Sequence, residues 1–191
     1  MEHITKERSL ILLKPDVIAR GLVGEIISRF ERVGLKIIAM KMEDTDIDIA
    51  KIHYKKEDDW LIKVGERLIK NNDLGPNEDP KKYGQEVCDQ LSKDLTVYPI
   101  VVIVLEGHDT VRLVRKMIGN TSPENAAPGT IRGDYSQDTY AIADAFKRPV
   151  LNLVHASDSK ENAEEEIKLW FKKDELTNWC KPDEVIKFRK N

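Results

Sequence analysis

The sequence is short of the features that mark secreted, membrane or nucleic-acid-coating proteins. It has only two cysteines in 191 residues, Cys88 and Cys180. They stand far apart with no metal-type spacing, so they read as free thiols in a reducing compartment. No long hydrophobic run occurs: the longest, Ile100 to Leu105, is far too short to span a bilayer. Met1 to Arg8 is charged and has no apolar signal core, so a cytoplasmic location is expected. Neither sign of charge dominates. Lysine and arginine total 31 against 34 acids, a net charge of −3, which does not describe a surface built for nucleic acid. Aromatics make up only 6% and do not interleave with basic runs as single-strand binding requires. There is no Gly-x-x-x-x-Gly-Lys-Ser/Thr and no kinase-type Gly-rich loop, which excludes both of those phosphate cradles. Repeats and low-complexity tracts are also missing. What is present, 40% hydrophobic and 34% charged residues, suits one core, or one core with an insertion.

Apolar spacing divides the chain into strands and helices. Ser9 to Leu13 reads as a strand ended by Lys14-Pro15-Asp16, which presents Lys14 at its tip. Val23, Ile26, Ile27 and Phe30 repeat at helical spacing, with Gly34 placed to close the helix. Leu35 to Met42 predicts a second strand, with Lys36 and Lys41 marking a partly exposed face. Thr45 or Asp46 can cap a short helix, and Trp60, Val64 and Leu68 stripe another. A turn-rich link spans Asn71 to Pro80. Asp79 and Pro80 then open a helix edged by Tyr83, Val87, Leu91 and Leu95. Val97 to Leu105 is the strongest strand, and Thr110 caps the helix after it. Asn120 to Asp134 reads as a long polar loop, and Ala141 to Phe146 holds a helical turn. Val150 to Val154 is a strand and Glu161 to Phe171 a helix, followed by a tail from Asp174 to Asn191. This order predicts an α/β fold of the α+β sandwich type: one largely antiparallel sheet with helices on one face.

Chemistry gathers where the last strand meets its helix. His155 ends the strand there, at a junction where side chains can face a cleft, and imidazole is a nucleophile without prior activation at neutral pH. The plainer alternative is a histidine that closes a strand on a local hydrogen bond. Four other segments offer donors suited to a triphosphate. They are Lys14; Arg115 with Thr121; Arg132 between Gly129-Thr130 and Gly133; and Asn152. Any of these alone reads more readily as a solvated surface group than as a phosphate donor.

Taken together, these segments resemble the nucleoside diphosphate kinase family. The resemblance rests on Leu13-Lys14-Pro15-Asp16, Arg20 to Ile27, His53-Tyr54, Leu105-Glu106-Gly107, Pro128 to Tyr135, Asn152 to Ser159, and Glu166 to Phe171. It implies a ferredoxin-like βαββαβ sandwich with added helices. It also implies transfer of a γ-phosphate between nucleotides by a ping-pong route through phosphohistidine, with Mg²⁺ held mainly by the nucleotide phosphates rather than by protein ligands. His155 matches the nucleophile. Lys14, Tyr54, Arg115, Thr121, Arg132 and Asn152 match positions that hold phosphates and ribose, and Ser157 and Glu166 match the pair supporting the imidazole.

The implied partners are nucleoside tri- and diphosphates (ATP, GTP, ADP, GDP and their deoxy forms) and further copies of the chain, as hexamer, tetramer or dimer. No membrane and no specific nucleic acid is expected. Two stretches of the single expected domain, 1–191, are longer than in the family, at about 55–97 and 135–149. Trp60 is offered as the base-stacking aromatic. Ala156 replaces the usual glycine after the histidine, at roughly 1 kcal/mol or more if positive φ is required. Two rivals remain at this stage: a non-catalytic interaction domain of the same fold, and a nucleic-acid binder using the basic loop.

Overall fold

A computed structural model describes residues 7–71, 75 and 77–187. The turn-rich link at 71–80, the first residues and the end of the tail fall partly outside that range. Four strands make one antiparallel sheet: β1 (Glu7–Leu13), β2 (Lys36–Glu43), β3 (Ile100–Gly107) and β4 (Val154–Ala156). Their order across the sheet is β2-β3-β1-β4. Helices α1 (Pro15–Ala19) and α2 (Val23–Arg32) join β1 to β2. Helices α3 (Ile47–His53), α4 (Asp58–Asn71) and α5 (Pro80–Asp94) lie between β2 and β3. After β3 come α6 (Thr110–Ile118), α7 (Ile131–Tyr135) and α8 (Tyr140–Ala145). Helix α9 (Lys160–Trp170) follows β4, and α10 (Glu184–Lys187) lies in the tail. With the additional helices set aside, the path is the βαββαβ of a ferredoxin-like sandwich. No helix among the described residues is long and apolar enough to cross a membrane.

The sheet is covered on both faces, not on one as the element order predicts. On one side Val101, Ile103 and Leu105 pack with Ile26, Phe30, Val114 and Ile118. On the other, Ile100, Val102 and Val104 pack with Ala50, Leu95, Ile167 and Trp170. A strand buried on both faces has no polar side to show, which is why 100–105 reads as an unbroken apolar run. Lys36 is likewise buried, against the expectation of an exposed face. Its Nζ lies 2.7 Å from Glu106 and 3.3 Å from Glu184, so the charge goes in paired.

Other differences are local. β3 begins at Ile100 rather than Val97, because 97–99 turn after α5. Asp109, at φ +50, occupies the N-cap of α6, and Thr110 is the first helical residue. The 120–134 loop contains a 3₁₀ turn at Pro123–Asn125 and the start of α7. β4 starts at Val154, so His155 sits inside the strand opposite Leu12 rather than beyond its end.

The stripes of α4 and α5 are rotated from those the apolar spacing predicts. Leu61 and Gly65 of α4 and Gly84, Cys88 and Ser92 of α5 are the buried positions. Small residues let the two backbones approach closely, and larger apolar neighbours are left free to face a cleft. A Cβ on Gly84 would lie 2.1 Å from the Leu61 carbonyl oxygen, and one on Gly65 would lie 1.8 Å from that of Pro80. Gly84→Ala is therefore expected to destabilise the fold by about 1–3 kcal/mol through overpacking. Gly24→Ala, with nothing within 4 Å of its Cβ, should be neutral or slightly stabilising. Urea denaturation of the two variants reads the contrast.

Candidate active site

The site is built around an irregular step before β4. Leu153 is fully buried and takes a left-handed backbone, φ +69. For a residue with a branched side chain this costs roughly 1–2 kcal/mol. Two hydrogen bonds hold it there. The Lys14 N–H donates to the Leu153 carbonyl at 2.9 Å, and the Leu153 N–H donates to Asp16 Oδ2 at 3.0 Å. The Lys14-Pro15-Asp16 corner after β1 thus fixes the approach to β4. Burial raises the Asp16 carboxyl above its usual range, with the Lys14 charge opposing the shift.

This step brings cationic and amide side chains together. Lys14 Nζ donates to Asn152 Oδ1 at 2.8 Å, and Asn152 Nδ2 donates to the Thr121 carbonyl at 2.9 Å. Arg132 spreads its guanidinium over three carbonyls: Asn152 at 3.0 Å, Gly119 at 2.9 Å and Val154 at 2.6 Å. Burial lowers the Lys14 pKa, with nearby Arg132 adding to the effect. Burial, and then Arg115, pulls Arg132 down to about 10. Positive charge is therefore held poorly hydrated at the site, where an anion would be welcome.

His155 is supported from behind by a chain of hydrogen bonds. Its Nε2 lies 2.9 Å from Glu166 Oε1. Ser157 Oγ donates to Glu166 Oε2 at 2.6 Å and accepts from the Leu10 N–H at 3.0 Å. Asn162 Nδ2 adds a longer bond of 3.3 Å to Oε1. A carboxylate at Nε2 places the ring proton there and leaves Nδ1 with its lone pair. Ser159 caps α9 through the Asn162 N–H, which fixes the helix that carries Glu166. Ala156 is an ordinary strand residue paired with Ile11 and is not among the positive-φ positions, so the strain considered for a missing glycine does not arise.

A cleft of about 710 Å³ opens at this point. Lys14, Tyr54, Trp60, Arg115, Thr121, Arg132, Asn152 and His155 all line it, while Ser157 and Glu166 stand behind the histidine. Burial pushes the Tyr54 phenol upward. Trp60 and Val64 of α4 and Val87 and Leu91 of α5 form part of the wall.

Three lining residues carry no sequence signal as site groups. The Arg67 guanidinium stacks 4.2 Å over the Tyr140 ring, joining α4 to α8, and Arg148 makes a two-pronged bond to Asp138 at 2.6 and 2.9 Å. Each is a common surface residue type, and only the approach of distant segments distinguishes it. His53 could have been singled out, since it stands in a quoted motif beside Tyr54.

Two metal readings can be tested against the donors. His53, His155 and Glu166 bring one potential ligand atom each within 4.8 Å of one another. However, Trp170 Nε1 sits 3.3 Å from His53 Nδ1, and indole can only donate. The remaining His53 nitrogen then carries a proton and has no lone pair to give, so this trio does not fit a metal. Within the cleft, the lining carboxylates are Asp144 and Asp158, against Lys14, Arg115, Arg132 and further cations. That set fits Mg²⁺ delivered on phosphate oxygens, not a protein cage of carboxylates.

Ser157 joins the sheet to Glu166, so its loss should be felt in stability as well as in the site. Ser157→Ala leaves the buried Leu10 N–H without its acceptor and is expected to cost about 1–3 kcal/mol, read by urea denaturation.

Known proteins match this chain over most of its length. The family model described as Nucleoside diphosphate kinase matches residues 7–63 and 80–176. The match passes over 64–79, inside the first expected insertion, and runs across 135–149. The nucleoside diphosphate kinase of Pyrobaculum aerophilum is 47% identical over 178 residues, covering 89% of this chain and 97% of that protein. That of Pyrococcus furiosus is 44% identical over 175 residues, covering 92% and 89%. The crystal structure of an NDP kinase from Pyrobaculum aerophilum superposes with a TM-score of 0.86 at 44% identity, covering 91% of this chain and 100% of that one. A nucleoside-diphosphate kinase from Borrelia burgdorferi, solved as a transition-state mimic with bound vanadate and ADP, gives 0.78 at 34% identity, covering 95% and 96%. With the fold, most of its length and its sequence all matched, the chain belongs to the nucleoside diphosphate kinase family of phosphotransferases.

Proposed function

We propose that the protein moves the terminal phosphoryl group of a nucleoside triphosphate to a nucleoside diphosphate in two half-reactions, through a phosphohistidine at His155. The observation that carries this reading is the 2.9 Å contact between Glu166 and His155 Nε2, which frees Nδ1 at a cleft lined with cations. In the first half-reaction the Nδ1 lone pair attacks the γ-phosphorus. A P–N bond forms as the bond to the β–γ bridging oxygen breaks, and that oxygen leaves with the electron pair on the diphosphate. The Nε2 proton stays in its bond to Glu166, which stabilises the cationic ring. In the second half-reaction a new diphosphate attacks the phosphorus and restores the free imidazole.

Phosphoryl transfer asks chiefly for alignment and charge neutralisation. Lys14, Arg115 and Arg132 supply charge, Thr121 and Asn152 supply polar groups, and Tyr54 walls the site near the ribose. Mg²⁺ arriving on the nucleotide would supply further charge neutralisation there, beside Lys14, Arg115 and Arg132, with no protein carboxylate needed to hold it. The Borrelia burgdorferi relative, with vanadate and ADP bound, supports the same chemistry here. Trp60 gives the base a surface to stack on, which discriminates little and suits ATP, GTP and their deoxy forms alike.

The reading extends to the whole chain. Residues 1–191 form one domain with insertions at about 55–97 and 135–149. The protein works in the cytoplasm, in keeping with the free thiols of Cys88 and Cys180. It assembles with its own copies. Met40 and Met42, 54% and 59% exposed on edge strand β2, support such a contact.

Incubation with radiolabelled triphosphate is expected to label the wild-type enzyme and leave His155→Ala unlabelled. Equal labelling of the variant would remove His155 from the mechanism. Arg132→Ala is expected to lose about 100-fold or more in kcat, the scale of losing one charge-stabilising group. Wild-type turnover would show that this side chain does not meet phosphate.

A further inference from the structure

A second imidazole lies against His155, and nothing in the transfer chemistry uses it. His53, the last residue of α3, is 7% exposed, and its ring centroid is 4.3 Å from that of His155 with the planes at 80°. Of the rings around His53, His155 is the nearest; Tyr54 and Trp170 lie at 4.9 and 5.7 Å. Helix α9 governs both imidazoles. Glu166 holds His155, and Trp170, one turn further along the same face, holds His53 through its indole N–H.

We infer that His53 is a positioning residue for the nucleophile: a neutral ring, locked by Trp170, that backs the His155 imidazole against Glu166 and keeps water and positive charge from the face it covers. This rests on His155 being the group that takes the phosphoryl.

Three observations support it. The indole donor occupies His53 Nδ1, which leaves the proton on Nε2 and opposes a second one. Burial first, and then His155, Lys56 and Lys14, hold the His53 pKa well below its ordinary value, so the ring stays neutral. Its Nε2 is buried with no hydrogen-bond partner among the described residues. A phenylalanine or leucine would avoid that unmet donor but would strand the buried Trp170 N–H, so that bond fixes a histidine there and sets its ring, rather than a hydrocarbon, against His155. The titratable groups around the pair are Glu166 from α9, Tyr54 and Lys56 beyond α3, Lys14 from the end of β1, and Asp158 beyond β4. None of them replaces the ring contact.

The test is the rate of enzyme phosphorylation by radiolabelled ATP with Mg²⁺, followed from acid to alkaline pH in the full-length chain. His53→Ala is expected to slow labelling about tenfold or more, the scale of a displaced reacting group, with the nucleotide KM within about twofold. Its rate should also begin to fall at higher pH on acidification than in wild type, because water now solvates the charged ring. Trp170→Phe frees the His53 tautomer while keeping an aromatic ring in the core, and should move the profile in the same direction. His53→Asn, whose amide oxygen can still accept from Trp170, should recover part of the rate lost in His53→Ala.

Wild-type rates and profiles in both His53→Ala and Trp170→Phe would overturn the inference, as would a slower rate with an unmoved profile. If His53→Ala does not fold, Trp170→Phe decides alone. Labelling of His155→Ala in the same assay would instead defeat the reading of the nucleophile beneath it.

Discussion

The arrangement of the site depends on how residues 152–154 are held. Leu153 takes a backbone conformation that its side chain disfavours, clamped between the Lys14 N–H and the Asp16 carboxylate. Arg132 grips the carbonyls on either side, at Asn152 and Val154. The strained residue lets the chain turn Asn152 toward Lys14 and then enter β4 with His155 on the cleft side. Strain of this kind persists only when the surroundings over-determine it, and here two separate segments, the Lys14-Pro15-Asp16 corner and Arg132, do so. The groups that fix the backbone also supply the charge beside the proposed nucleophile.

That economy has a thermodynamic cost. Lys14 and Arg132 are nearly buried, and burial disfavours their charged forms. Asp16 is pushed the opposite way, and its Oδ1 has no hydrogen-bond partner among the described residues. The balance is met by the two apolar layers on either face of the sheet, where Leu10 to Leu13 and Ile100 to Leu105 are almost wholly excluded from water. A rigid central pair of strands can bear a poorly solvated, partly frustrated edge. Helix α9 completes the support, since one of its faces carries both Glu166 and Trp170.

The helices added between β2 and β3 reshape the cleft rather than the sheet. α4 and α5 pack through Gly65, Gly84, Cys88 and Ser92, and so turn Trp60, Val64, Val87 and Leu91 toward the open space. The stripes visible in the sequence are real, but Trp60, Val64, Val87 and Leu91 from them face the cleft, while Leu95 enters the core. Apolar periodicity finds an amphipathic face without saying whether that face meets a helix or a ligand. Small residues are a weak signal by hydrophobicity, yet they decide which face can approach a neighbouring backbone.

The sequence by itself determined the alternation of strands and helices, the family and the group of residues that meet at the cleft. These are carried by local spacing, by punctuation such as Asp79-Pro80 and Gly34, and by motifs whose order survives without coordinates. Tertiary structure alone decided the rest. It covered both faces of the sheet, buried Lys36 beside Glu106, moved His155 inside β4 and left Ala156 unstrained. It also brought Glu166 and Trp170 to two imidazoles and Arg67 to Tyr140. The reason is physical: propensity and periodicity act over a few residues, whereas burial, charge pairing and backbone strain depend on which distant segments the closed sheet brings into contact.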